Sequence, residues 1–366
     1  MMCKKALTIF IVSISFLLLF SLDTFAYEGD YSEIYDSANE ATQNLLEDIG
    51  IYDVDFEGLL NLSPKSVLDV ILGVFKGSYK APFECTGVII VIIVLFSLLD
   101  SFSQDGVKKT QYYAFFENTL ILITVLVPLS ELITSAVSVI KTVCSFMLAF
   151  IPVYTGVISA SGQPLSSFLY SSGLLGFAEI CSVTLADCII PVFSIVTSIS
   201  IFSVLNKNVG LESLINTVKR VITVVISIAS SLFVGYVNIK TQLAYSADSL
   251  SIKGIKMLSG SVIPVIGSSI GEALNSVIGA MLLVKSSLGV FAVIVILLVC
   301  LPTLTQALVW YISLNVCSAV SDALSLNDAS KALKVMSQLI SMLCIAVLLI
   351  MLIFILTTGN MISLRG

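Results

Sequence analysis

Apolar runs at or near membrane-spanning length follow one another from about residue 83 onward, and they decide the solvent in which this chain folds. Gly87–Leu99, Ala280–Leu301 (interrupted by Lys285) and Leu339–Leu356 approach or reach the roughly 20 residues that carry a helix across about 30 Å of hydrocarbon. Hydrophobic residues make up 57% of the chain and charged residues 11%. The expected fold is therefore all-α, a polytopic membrane helix bundle with the lipid bilayer as its first partner.

Residues 1–26 read as a secretory signal: Lys4 and Lys5 are basic, Ala6–Phe20 is apolar, and Thr24-Phe25-Ala26 offers small residues for cleavage. An uncleaved anchor helix is the alternative, and either reading starts residue 27 outside the cytoplasm. From Tyr27 to Pro82 acidic residues such as Glu28, Asp30, Glu33, Asp36 and Glu47 outnumber Lys65, Lys76 and Lys80. This region, 27–82, is expected to be a short acidic helical exported segment. Ala38–Ile49 can place Leu45, Leu46 and Ile49 on one side, and Ser63-Pro64 reads as an N-cap followed by proline at N1. So short a segment buries little core alone, so its helices should lie on the membrane domain or on a partner. Its carboxylates read as a solvated face in preference to a cation site.

Lysine and arginine number 18 against 24 aspartates and glutamates, a net charge of −6 carried mainly by that segment. With no basic groove, nucleic acid is not an expected partner. Of the 8 cysteines, Cys3 belongs to the signal, while Cys144, Cys181, Cys188, Cys300, Cys317 and Cys344 lie in apolar surroundings, where the thiol acts as a small hydrophobe. Cys85 has no evident partner, so no structural disulfide is expected. Histidine is absent and no zinc-type spacing occurs, so no metal and no cofactor are expected.

Candidate membrane segments lie near 83–100, 114–136, 143–160, 165–186, 188–205, 221–239, 261–284, 286–308 and 338–357, and six to nine of them are expected to cross. Lys108 and Lys109, and the cluster Lys207, Lys219 and Arg220, mark two loops as cytoplasmic by the positive-inside rule. Residues 240–259, with Lys240, Lys253 and Lys256 against Asp248, read as a loop of ambiguous side.

Two proline pairs suggest duplication. Ile151-Pro152-Val153 recurs as Ile263-Pro264-Val265, and Pro191 recurs as Pro302, at separations of 112 and 111 residues. The resulting division is 83–140 for N-terminal helices, then repeat-like halves at 141–250 and 251–366. Proline-interrupted segments at matching positions mark the path in duplicated transporters, yet prolines are also frequent in membrane helices as plain kinks. Pro152, Pro191, Pro264 and Pro302 are therefore candidate hinges. Gly267 and Gly271 form a GxxxG that permits close helix packing, within the chain or between copies.

Ionisable residues in apolar stretches cost about 2.5 to 3.5 kcal/mol at a helix centre on insertion scales, so each asks for a reason. They are Glu117, Glu131, Glu179, Asp187, Glu272, Lys285 and Asp322. Glu179 and Asp187 share roughly one helix face, and Glu272 and Lys285 occupy neighbouring segments. One reading makes Glu179, Asp187, Glu272 and Lys285 a cation or proton relay; the other places them at interfacial ends or in structural pairs. No phosphate-cradling G-x-x-x-x-G-K-[ST], no histidine base and no G-x-S-x-G elbow is present. An enzyme is not expected, and any energy-dependent task must draw on an ion gradient or a partner ATPase.

Ile263-Pro264-Val265-Ile266-Gly267, then Leu282-Leu283-Val284-Lys285-Ser286-Ser287-Leu288-Gly289-Val290, and finally Thr357-Thr358-Gly359-Asn360, resemble the stage III sporulation protein AE family, as does the layout of signal, short acidic exported region and long polytopic body. The resemblance implies a subunit of the channel or secretion complex that links mother cell and forespore, seated in the mother-cell membrane. Its implied partners are other stage III sporulation channel subunits, including a partner ATPase and ring-forming proteins, with residues 27–82 in the space between the membranes. The alternative reading is a permease moving a small solute through a duplicated bundle.

Overall fold

The computed structural model describes residues 40–48, 51, 64–102, 106–180, 191, 194–199, 212–262 and 267–363. The expected signal at 1–26, Asp187 and Pro264 lie outside the described residues. Every regular element among those described is helical: α1 Glu40–Asp48, α2 Pro64–Ser78, α3 Lys80–Phe102, α4 Gly106–Ala160, α5 Pro164–Ile180, α6 Glu212–Val262, α7 Gly267–Ala323 and α8 Asn327–Ser363. Four stretches are long and apolar enough to cross a membrane: Asp69–Leu99, Phe115–Ala160, Ser276–Ala323 and Asn327–Ser363.

Several expected boundaries vanish into continuous helices. The segments expected at 114–136 and 143–160 are one 55-residue helix, α4. The reason is an unbroken buried stripe: Leu129, Leu132, Ala136, Ile140, Val143, Met147, Phe150, Tyr154 and Ile158 recur at three- and four-residue intervals through the stretch holding Glu131 and Lys141. Those two charges fall on the exposed side of the helix. The loop expected at 240–259 is likewise interior to α6, and the junctions at 140/141 and 250/251 fall within α4 and α6.

Prolines inside these helices are accommodated rather than helix-ending. Pro128 has no N–H for the carbonyl of Thr124, and the Cys85 thiol of α3 donates to that oxygen at 3.7 Å. Pro152 and Pro302 lie inside α4 and α7. Pro191 is exposed.

Two helical hairpins close with the same turn. After α4, Gly162 adopts φ 87°, its N–H reaches Ser159 O at 3.1 Å, and Gln163 N–H reaches Ile158 O at 3.2 Å. After α7, Ser325 adopts φ 62°, its N–H reaches Asp322 O at 3.1 Å, and Leu326 N–H reaches Ser321 O at 2.9 Å. Both are the left-handed C-terminal cap that satisfies the last carbonyls of a helix. Each hairpin is then tied across by a serine: Ser167 Oγ donates to Thr155 O at 2.6 Å, and Ser318 Oγ pairs with Ser330 Oγ at 3.0 Å.

The two turns sit at opposite ends of α8. Tyr170, just past the first turn, meets Thr358 near the end of α8, whereas the second turn leads directly into the start of α8. α7 is the central column, packed by α8, α4, α3, α2 and α6. Ser135 of α4 pairs with Thr303 of α7 at 2.9 Å, and beside them a void of about 10 Å³ lined by Leu132, Ala136, Leu304, Leu343 and Val347 has room for about one water at most.

Candidate functional site

The polar centre of the bundle is the turn between α4 and α5, and it is built by helix-end chemistry. Gly162 ends α4 and Pro164 occupies the first position of α5, where its missing N–H is no loss. The next two N–H groups, of Leu165 and Ser166, have no intrahelical acceptor. Asp248, projecting from α6, supplies both: Oδ1 accepts from Leu165 N at 3.1 Å, and Oδ2 accepts from Ser166 N and Ser166 Oγ, each at 2.8 Å. The following N–H, of Ser167, returns to Gln163 O at 2.9 Å. Asp248 is thus a cap provided by another helix, with its negative charge at the positive end of α5.

Gln163 does not cap the helix with its own side chain because that chain turns the other way. Its Oε1 accepts from Lys285 Nζ of α7 at 3.0 Å, and both residues are buried. Asp248 and Lys285 therefore meet the same short turn from α6 and α7. One layer along the axis, Phe146, Phe150 and Tyr154 stack with centroids 5.8 and 4.9 Å apart, and Tyr154 meets Tyr170 edge-on at 5.7 Å. Tyr170 shares a hydrogen bond with Thr358 Oγ1 at 3.1 Å, and Asn360 Nδ2 donates to Asn238 Oδ1 at 3.1 Å.

At Gly289, one turn beyond Lys285, α7, α8 and this aromatic column approach closely. A Cβ there would run into Ile362 Cγ1 and lie 2.9 Å from the Tyr154 hydroxyl. On the other side, Gly173 of α5 brings Val237 of α6 within 3.1 Å of its virtual Cβ, beside the Phe177–Phe233 stack at 4.1 Å. Small residues here permit the close helix approach that membrane bundles use.

Of the four charges singled out in the sequence, Lys285 alone is placed in this centre among the described side chains. Glu179 is exposed near the far end of α5, about 24 Å along the helix from Gln163. Glu272, with Gly267 and Gly271, begins α7, but its side chain lies outside the described residues, as does the whole of Asp187. Glu117 is buried, Glu131 is exposed, and Asp322 pairs with Lys334 at 2.8 Å on the surface. Asp248, Gln163, Tyr154, Tyr170 and Thr358 were not singled out as site residues. The Gly162-Gln163-Pro164 sequence marks the turn, but nothing local to Asp248 reports a partner 82 residues earlier. No group of three or more metal-ligating residues occurs among the described residues.

What the arrangement does chemically is lock geometry. Two buried side chains, Asp248 from α6 and Lys285 from α7, hydrogen-bond to one turn, and so tie α6 and α7 to the junction of α4 and α5.

Comparison with known proteins adds lineage to this geometry. The family model described as Stage III sporulation protein AE (spore_III_AE) matches residues 51–364. A curated relative, Stage III sporulation protein AE of Bacillus subtilis (strain 168), is 22% identical over 311 residues, covering 82% of this chain and 77% of the relative. No solved structure matches.

Proposed function

The chain belongs to the stage III sporulation protein AE family, and on that premise we propose that it is the membrane-embedded scaffold subunit of the channel complex between mother cell and forespore. In this reading it sits in the mother-cell membrane around the forespore, with residues 27–82 exported beyond a cleaved signal and facing ring-forming partners. Energy comes from a partner ATPase, in keeping with the lack of a nucleotide motif in the sequence.

The observation that supports a holding role over a conducting one is how the buried charges are used. Lys285 is tied to Gln163 and Asp248 to the α5 N-terminus, both as helix-to-helix fasteners. A permease path through Glu179 and Lys285 would have to join an exposed residue at one end of α5 to a buried one at the other.

The test is co-purification from sporulating cells with the other channel subunits and the ATPase, alongside spore counts. Deleting residues 27–82 downstream of the signal should abolish co-purification while the membrane body still accumulates. Glu179→Gln and Glu272→Gln should leave both complex and sporulation intact. Loss of sporulation in either variant with the complex fully assembled would overturn the scaffold reading in favour of a path.

A further inference from the structure

We draw no further inference here: the strongest candidate, the exposed apolar surface patch along the outer side of α6 from Val221 to Leu250, is one continuous face, and nothing in the structure shows what covers it.

Discussion

Replacing Asp248 by alanine tests the central fastening directly. The carboxylate accepts three hydrogen bonds at the start of α5, two from backbone N–H groups and one from Ser166 Oγ. The hydroxyl can turn to another acceptor, but the N–H groups cannot, and the one on Ser166 is buried. An orphaned buried donor costs about 1–3 kcal/mol, and loss of an N-cap about 0.5–2 kcal/mol, so with partial overlap between these terms Asp248→Ala should cost about 2–4 kcal/mol. Asp248→Asn keeps one acceptor for Ser166 N and loses the other with the charge, so about half that cost is expected. Ser246→Ala, two residues away on the exposed side, should stay within about 0.5 kcal/mol of wild type. Titration with a denaturing detergent in mixed micelles, read from the single tryptophan, buried Trp310, gives the free-energy difference. Hydrogen exchange at the Leu165 and Ser166 amides gives the local effect. If Asp248→Ala unfolds like wild type and leaves both amides as protected as before, the capping argument is wrong.

Three further changes probe the same neighbourhood by the same titration. Gly289→Ala should destabilise by about 1–3 kcal/mol because the new methyl meets Ile362 and the Tyr154 hydroxyl, and adding Ile362→Ala should recover part of the loss. Ser325→Gly should stabilise by about 0.5–1 kcal/mol, since Ser325 holds φ 62° without the freedom of glycine, whereas Ser325→Val should destabilise. Tyr170→Phe removes the bond to Thr358 and keeps the ring packing on Tyr154, so a loss of about 0.5–1.5 kcal/mol is expected.

Class and helicity were legible in the sequence because hydropathy over 20-residue windows reports them directly. The end of the first hairpin was legible too: 143–160 and 165–186 were separate expected segments, and the structure turns between them at Gly162-Gln163-Pro164. The site was only partly legible. Lys285 stood out because it interrupts an apolar run, but Asp248 did not, because Ser246, Ser249, Ser251 and Lys253 surround it and make a polar loop the natural reading. Its role depends on a turn made of residues 162–166, and a cap borrowed across that distance leaves no mark near the donor residue. Glu179 shows the converse: conspicuous in sequence, it is exposed in the fold.

Apolarity in sequence does not distinguish lipid contact from burial in protein. The apolar window of Asp69–Leu99 is 28% buried inside the fold, as a lipid-facing span would be, whereas that of Ser276–Ala323 is 78% buried. The second is apolar because it is the core of the bundle. Length makes the same point. α4 and α7, at 55 and 57 residues, each follow about 80 Å of helix path, more than twice the hydrocarbon core of about 30 Å. A continuous helix with no turn crosses once, so two apolar windows on one such helix are one crossing.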